Sequence, residues 1–526
     1  MKIIDLNDIN NANSMHSKVC IVGSGPAGCV LAVELANQGI EVILLEEGNN
    51  LPNYDISSVA DNVLISNASK LRFGWSKQFG GSSHLWSGRS YPMEPIDFMK
   101  RDWVENSGWP FPFSEIEPYY KSAAKLIGIP NYDYFTPYRE IIDKNKNLLS
   151  EISDNCNSIE MKCFQWAQSP MISSDYLRNT IEEQAPLIVI LNSPVRNLLE
   201  NEKATSVEKA ILTKLDGSLF EITADYFVLA AGGIETPRIL LNSNQVSPNG
   251  IGNDRDVVGR FFSTHPKADM AAVIFNKPIS TSHAFFVDRP LENGSYRYGV
   301  GLSKEVQEKI KTLNHYVQLS PLLEYRANQA FEFIKRTKAL NNSLINSNKL
   351  IQGFLPGLGK LIYEFMGRIA NIQPKTRKFI LRGFLDQYPN RENRIILSDS
   401  KKSDGTYKAE IQWRFSESDR KSVLDFFSYL DETLKKNNIG HIEYSGLKDC
   451  EDWPLISIHS HFMGATRMGS DKETSVTNKN AKVHGKDNLY ISGPSLFPTY
   501  GFANPFFTIV ALSLKLSDHL SREIKQ

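Results

Sequence analysis

The sequence predicts a chain of mixed α/β and α+β class, in which a Rossmann-type domain, discontinuous in sequence, is joined to a domain built on an antiparallel sheet. Three observations predict this fold class. The chain opens with a strand, a glycine-rich turn, a helix and a second strand. Its C-terminal end combines an apolar strand, a glycine and a long apolar helix. Between residues 268 and 415 the pattern changes to short strand-like segments separated by turns.

The opening unit has the pattern of a dinucleotide-binding βαβ fold. Residues 19–22 predict a buried strand, residues 30–36 a helix with Gly39 as its C-cap, and residues 42–45 a second strand. The positions in this turn expected to contact a cofactor are Gly23, Ser24, Gly25, Ala27 and Gly28. The glycines let the backbone approach a pyrophosphate, and Glu46, about 20 residues on, is placed to bind an adenosine ribose.

Internal stretches predict further contacts to a nucleotide. A loop with adjacent glycines and hydroxyls can wrap a phosphate with backbone donors, and it comprises Gly80, Gly81, Ser82 and Ser83. Residues 187–191 and 226–229 predict two more strands. The first leads to Val195, and the second leads to Ala231 and Gly232, whose small size lets a nucleotide lie against the strand tip. A helix is predicted after the second strand.

The C-terminal end predicts a second edge for a cofactor. An apolar strand ends at Gly493 and Pro494, and a turn at residues 501–504 leads into a helix that begins at Pro505. Backbone can approach a planar cofactor closely at a glycine, and the helix N-terminus offers free N–H groups and partial positive charge. A titratable histidine from the segment 458–469 would add proton transfer.

The middle of the chain predicts the second domain. Strands of one antiparallel sheet are expected at 271–275, 296–302, 316–319, 378–387, 394–397 and 409–413. A helix from about Glu417 carries an apolar stripe, and an earlier helix is expected to begin with Ser114 as N-cap. We assign residues 1–125, 185–270 and 450–526 to the nucleotide-binding domain and residues 126–184 and 271–449 to the substrate domain.

The composition is that of a large globular enzyme. At 526 residues the chain exceeds one ordinary core, and its 59 basic and 59 acidic residues leave no global charge that would attract nucleic acid. The 5 cysteines show no CxxC spacing, so we expect neither a disulfide framework nor a metal site, and a reducing compartment. Residues 1–18 lack a signal-peptide core, and no run of about 20 apolar residues occurs. We therefore expect a cytoplasmic protein.

A basic helical segment at residues 331–378 departs from a plain substrate domain. Within it, residues 357–372 repeat apolar side chains at helical spacing, with lysine and arginine beside the stripe. This pattern is typical of a helix packed on its own domain with a solvated basic side. A lid over the substrate entrance, a docking site for a redox partner and peripheral contact with an anionic membrane stay open.

The sequence resembles the glucose–methanol–choline (GMC) flavoprotein oxidoreductases, in particular the bacterial branch that acts on sugars and polyols. The resemblance rests on the two glycine motifs with Glu46, on residues 229–238 and 258–262, on the segment around His461, and on Asn504 and Pro505. It implies FAD lying extended in a FAD-binding domain. It also implies an alcohol substrate and a reoxidant that could be oxygen, a quinone or an electron carrier.

The resemblance further implies roles for individual residues. The family histidine precedes a glycine by three positions, which selects His461, followed by Gly464, over His459. His461 is expected to take the hydroxyl proton while hydride passes to flavin N5, and Asn504, at the second family position, is expected to orient the substrate oxygen. Some relatives attach FAD through a histidine one residue beyond His84, where this chain has Leu85, so we expect non-covalent FAD.

Some of these residues also have a purely structural interpretation. His484 is interpreted as structural, and His265 either lines the pocket or is merely extended before its proline. Three other functions also remain open: a nicotinamide-dependent dehydrogenase, which would need only the first glycine motif, a flavin-bearing lyase on the same scaffold, and a non-catalytic binding protein.

Overall fold

The computed structural model describes residues 1–10, 13–51, 63–65, 75–135, 158–280, 288–322, 375–444, 447, 455–458 and 461–526. The amphipathic stretch 357–372 and His459 lie outside the described residues. Of the basic segment 331–378, only the part from Lys375 is described, and it forms the start of a strand.

The described residues form 20 strands and 8 α-helices. The strands are β1 (Lys2–Asp5), β2 (Ser14–Val22), β3 (Val42–Leu45), β4 (Val63–Ile65), β5 (Arg89–Ser90), β6 (Ile159–Ala167), β7 (Leu187–Leu191), β8 (Val195–Glu200), β9 (Val207–Thr213), β10 (Leu219–Leu229), β11 (Pro266–Ser280), β12 (Arg289–Leu291), β13 (Gly294–Leu302), β14 (Tyr316–Pro321), β15 (Lys375–Phe384), β16 (Arg394–Lys401), β17 (Tyr407–Gln412), β18 (Gly440–Glu443), β19 (Leu455–Ile458) and β20 (Leu489–Ile491). The helices are α1 (Pro26–Ala36), α2 (Pro95–Phe98), α3 (Phe113–Leu126), α4 (Ser173–Thr180), α5 (Gly232–Asn242), α6 (Lys304–Ile310), α7 (Glu417–Lys436) and α8 (Pro505–Lys525).

The first sheet is the predicted Rossmann-type layer. Its strand order is β1-β7-β3-β2-β10-β9-β8, and β20 also pairs with β10. The pairs from β1 to β10 and the pair β10–β20 are parallel, whereas β8, β9 and β10 pair antiparallel. Residues 19–22 and 42–45 are buried without alternation because helices cover this part of the sheet. Among those helices, α1 packs against α4 and α8.

The second sheet is antiparallel and supplies the wall opposite the first. Its order is β18-β11-β15-β14-β13-β6-β5, with β12 paired to β13 and β19 paired to β11. A separate hydrophobic core lies beneath it and includes the predicted apolar stripe of α7, formed by Val423, Phe426, Phe427, Leu430 and Leu434. Helix α7 begins with a capping box in which Ser416 and Asp419 exchange hydrogen bonds. These features confirm the predicted α7.

The strands β16 and β17 do not belong to this sheet, contrary to the prediction of one antiparallel layer. They form a three-stranded sheet with β4. Both edges of β15 are already occupied by β11 and β14, so the next strands cannot extend the large sheet there. Instead, Ile395 N donates to Gly259 O, which fastens β16 to the chain that follows α5.

A second correction concerns the start of α3. The helix begins at Phe113 with Pro112 as its N-cap, so Ser114 lies inside the first turn. The extended backbone of Pro112 lets its carbonyl accept from Glu115 N at 3.0 Å, and this turn replaces a side-chain cap. Among the helices in the described part of the chain, none is long and apolar enough to cross a membrane.

Candidate active site

A cavity of about 560 Å³ runs along the carboxyl ends of the parallel strands and reaches the antiparallel sheet. This is the edge where open α/β sheets bind ligands. The predicted site residues that line it are Gly23, Ser24, Gly25, Ala27, Glu46, Gly81, Ser82, Val195, Ala231, Gly232, His461, Pro494, Asn504 and Pro505. Gly28, Gly80, Ser83 and Gly493 are not among the lining residues.

The first glycine motif shapes one end of the cavity. A Cβ atom on Gly25 would meet no atom within 4 Å, so the cavity touches bare backbone at the start of α1. Gly28 has a different role, since a Cβ there would lie 1.9 Å from Gly23 O. Gly25 therefore leaves room for a ligand, whereas Gly28 lets the helix pack against the turn.

Glu46 lies beside this turn and accepts hydrogen bonds from two backbone N–H groups and one hydroxyl. Its Oε2 accepts from Ser24 N at 3.1 Å and from Ser24 Oγ at 2.5 Å, and its Oε1 accepts from Gly48 N at 2.8 Å. Burial raises the pKa of Glu46, although these hydrogen bonds favour its charged form. The carboxylate is thus fixed in place at the cavity wall.

In the second glycine loop, two residues form hydrogen bonds that hold the loop in place and two line the cavity. Gly80 N donates to Ser24 Oγ at 3.0 Å, and Ser83 Oγ donates to Gly80 O at 2.6 Å. Ser83 Oγ also accepts from Ser173 N at 2.9 Å. Gly80 therefore links the two glycine motifs, and Ser83 fixes the loop to the start of α4, whereas Gly81 and Ser82 line the cavity.

Sequence reasoning missed a charged cluster at this end. Burial alone would raise the pKa of Glu47, but Lys402 and Lys77 lower it to about 2. Glu47 Oε1 lies 3.0 Å from Lys77 Nζ and 3.3 Å from Lys402 Nζ. The contributing residues come from segments far apart in the sequence, and their charges gave no local signal.

His461 lines the other end of the cavity and is hydrogen-bonded to His265. The two Nδ1 atoms lie 2.9 Å apart, and the rings meet edge to face at 89°. Their backbone segments are joined by the bridge between Ser263 and Met463. Gly464 permits this approach, because its φ is +84° and a Cβ there would lie 2.2 Å from Phe261 O.

The hydrogen bonds of His265 determine which nitrogen of His461 can accept a proton. His265 Nε2 lies 2.8 Å from Gly501 O, and a carbonyl oxygen only accepts, so this nitrogen carries the hydrogen. Burial lowers the pKa of His265 to about 4, which keeps the ring neutral and leaves Nδ1 as an acceptor. The hydrogen between the two rings therefore belongs to His461 Nδ1, and its Nε2 is the basic nitrogen.

Asn504 reaches the same end of the cavity from the start of α8. It occupies the N-cap position, yet its side chain makes no capping hydrogen bond. The amide lines the cavity and is therefore available to a ligand rather than to the helix. Arg89, Lys267 and Phe384 also line this end and were missed, because their placement depends on long-range strand pairing.

The shape and chemistry of the cavity fit FAD. Bare backbone at Gly25 and at Gly232, where a Cβ would again meet nothing within 4 Å, provides a cradle for a diphosphate. Glu46 supplies an acceptor for ribose hydroxyls, and the start of α8 supplies a positive dipole end for a flavin.

Comparison with known families agrees with this geometry. Residues 389–513 match the family model described as GMC oxidoreductase, and residues 16–54 match an FAD binding domain. The C-terminal part of the chain is therefore similar to the GMC oxidoreductases, and its N-terminal part to FAD-binding domains. The chain is an FAD enzyme that acts on CH–OH donors.

Two relatives and one solved structure align with nearly the whole chain. It is 23% identical to the fructose dehydrogenase large subunit of Gluconobacter japonicus, over 98% of this chain and 99% of that protein. It is 22% identical to paromamine 6'-oxidase of Streptomyces fradiae, over 94% and 90% of the two chains. The crystal structure of pyridoxine 4-oxidase from Mesorbium loti superposes with a TM-score of 0.57 at 16% identity, over 96% and 99% of the chains, which shows a common fold.

His265 is expected to act as a positioning residue for His461. The variant His265→Leu should slow anaerobic flavin reduction by about 10–100-fold, because it removes a hydrogen bond that orients the histidine and stabilises it when protonated. The variant His265→Asn should restore most of the rate, since an amide can donate to Gly501 O and accept from His461. Stopped-flow absorbance measures both.

The pH dependence of stability tests whether His265 is buried in its neutral form. The folded pKa of His265 is about 4 and its ordinary value is 6.5, so the unfolded chain binds a proton that the folded chain does not. The stability that His265 contributes is therefore present above 6.5 and lost as the pH falls towards 4. Thermal unfolding of His265→Asn should show a smaller loss of stability between pH 6.5 and pH 4 than the parent shows. Equal rates of flavin reduction in His265→Leu and His265→Asn would contradict the positioning role.

Proposed function

We propose that this FAD enzyme oxidises a hydroxyl group of a sugar, a polyol or an amino-sugar-like alcohol to an aldehyde or ketone, with His461 as general base. The substrate class is supported by the names of its relatives, which include a fructose dehydrogenase, a paromamine oxidase and a 2-methyl-1,2-propanediol dehydrogenase. The observation that carries the proposal is the hydrogen-bond chain from Gly501 through His265 to His461.

In the proposed mechanism one protein residue accepts the proton and another binds the substrate oxygen. His461 Nε2 takes the proton of the hydroxyl group, and the resulting imidazolium keeps its Nδ1–H donated to neutral His265. The Asn504 amide donates to the substrate oxygen as negative charge develops on it. Bound FAD supplies the hydride acceptor at N5. The product is the carbonyl compound, and the N-terminal end of α8 favours negative charge at this side of the cavity.

The proposed FAD-contacting residues are the cavity-lining positions of the two glycine motifs, Glu46, and the starts of α5 and α8. We propose that the cofactor is held without a covalent bond. His84 Nε2 lies 3.0 Å from Phe79 O and therefore donates its hydrogen there, and His84 is not among the residues that line the cavity. Acid precipitation tests this directly. A colourless pellet with yellow supernatant is expected, and a yellow pellet would contradict it.

The proposed activity is tested by the visible spectrum of the purified protein. Anaerobic addition of a mixed panel of sugars, polyols and amino sugars should bleach the flavin bands. Readmission of oxygen, with hydrogen peroxide measured, then separates an oxidase from a dehydrogenase that needs a quinone or a carrier. Flavin bands that no alcohol bleaches would contradict alcohol oxidation and favour a lyase.

A further inference from the structure

Two cationic side chains, Arg89 and Lys267, line the same end of the cavity as His461. Lys267 stands in β11 two residues after His265, so an extended backbone places both side chains on one face. Across the β11–β15 pairing, Lys267 lies opposite Phe384. Both cations lie within 5 Å of the centre of the Phe384 ring, Arg89 Cζ at 4.2 Å and Lys267 Nζ at 4.9 Å.

The guanidinium of Arg89 is held by aromatic rings rather than by acids. Its Cζ lies 4.0 Å from the centre of the Phe164 ring as well as 4.2 Å from that of Phe384, with Trp166 and Tyr316 further out. Its Nε and Nη2 atoms are buried and make no hydrogen bond to the described residues. Buried N–H donors without acceptors cost free energy, so a ligand that accepts from them would be bound favourably.

Among the described residues, Lys267 also has no carboxylate within 4.0 Å of its Nζ. The acid nearest in sequence, Asp269, is engaged by Arg382, with Nε–Oδ1 and Nη2–Oδ2 distances of 2.6 and 3.0 Å. Burial, together with the positive charges of Arg382 and Arg89, lowers the pKa of Lys267 to about 7. A positive field thus remains at this end of the cavity.

We propose that Arg89 and Lys267 bind an anionic oxygen group, a carboxylate or a phosphate, carried by the alcohol that the enzyme oxidises. This inference rests on the proposed function and narrows its substrate class to hydroxy acids, such as sugar acids, or phosphorylated alcohols. The planar fork of arginine matches two oxygens of either group, and the lysine adds a point charge. A neutral sugar would leave both cations uncompensated, and a cationic amino sugar would be repelled.

The anion site is tested first without any turnover. Acetate and inorganic phosphate are titrated separately into the FAD-loaded protein, and the change in the flavin absorption bands gives a dissociation constant for each. Lys267→Gln should weaken binding of the preferred anion by about 10–100-fold, the loss expected for one charged hydrogen bond. Lys267→Arg should retain binding. Lys304→Gln, on the exposed side of α6, is the matched control and should bind as the parent does.

A variant of Arg89 addresses the second cation while keeping its charge. Arg89→Lys removes the fork but leaves a cation among the rings, so it should fold, which thermal unfolding checks, and it should lower affinity for acetate more than for phosphate. Comparison of the two anions also decides whether the group is a carboxylate or a phosphate. Binding that is unaffected by both Lys267→Gln and Arg89→Lys would overturn the site.

Matched substrates test the substrate class. Glucose, gluconate and glucose 6-phosphate are compared in anaerobic flavin reduction. One of the anionic compounds should be favoured at least about 10-fold over glucose, and Lys267→Gln should erase that difference. Equal reduction of the flavin by all three compounds in the parent would overturn the proposal, and so would a preference for the anionic compound that Lys267→Gln leaves unchanged. So would a variant that changes only flavin reoxidation, because the cation would then serve the flavin. If no compound bleaches the flavin, the proposed function fails, and the anion titration alone decides the site.

Discussion

Replacing His461 by alanine should slow anaerobic flavin reduction by about 10²–10⁴-fold, which is the contribution of a single well-placed general base. The variant should still bind FAD, since His461 and the glycine motifs line opposite ends of the cavity. In the proposed mechanism His461 Nε2 accepts the hydroxyl proton, because its Nδ1 donates to His265. Stopped-flow reduction with a substrate found in the panel measures the loss.

A second histidine provides the control for this variant. His484 lies outside the cavity, and its Nε2 is 3.1 Å from Ser475 Oγ, as expected for a structural residue. His484→Ala should reduce flavin at nearly the parental rate. A His461→Ala protein that keeps its full rate of flavin reduction would contradict the assignment of the base, whatever its FAD content.

The parts of the fold that depend on neighbours in sequence were predictable. The unit β2–α1–β3 follows from apolar runs, a glycine turn and helical spacing within about 30 residues, the length of a βαβ unit. The strand pairings of the second domain were not, because they join segments far apart. The separate sheet of β4, β16 and β17 shows this, since strand-like patterns at β16 and β17 gave no indication of which edges were already taken.

The same distinction holds for the site. Gly25, Gly81 and Asn504 were found because their motifs are local, and they do line the cavity. The partner of His461 could not be identified, since His265 is 196 residues away and contacts it only through the pairing around Ser263 and Met463. A hydrogen bond between two histidines this far apart leaves no local pattern in the sequence.

The two positive charges near His461 could not be predicted from the sequence either. Arg89 and Lys267 belong to different strands and meet only because both approach Phe384. The overall balance of 59 basic and 59 acidic residues conceals a local excess of this kind. The proposed preference for anionic alcohols therefore depends on tertiary structure alone, and the family resemblance did not suggest it.

The second large effect is expected from Gly25→Val, which should lower FAD affinity by about 10–100-fold without unfolding the protein. A Cβ on Gly25 meets no protein atom within 4 Å, and the residue has φ −67° and ψ −172°, an extended conformation that valine also adopts. The new side chain therefore occupies only the space against α1 where a diphosphate would bind. Flavin absorbance relative to protein absorbance, with added FAD titrated back, measures the change.

Gly28→Ala distinguishes loss of cofactor from loss of fold. Its Cβ would lie 1.9 Å from Gly23 O, a backbone atom that cannot move without displacing the turn from β2. Thermal unfolding of the cofactor-free proteins should therefore show Gly25→Val close to the parent and Gly28→Ala strongly destabilised. If Gly25→Val retained full FAD affinity, the diphosphate would have to bind elsewhere in the cavity, and the assignment of the first glycine motif to FAD would be wrong.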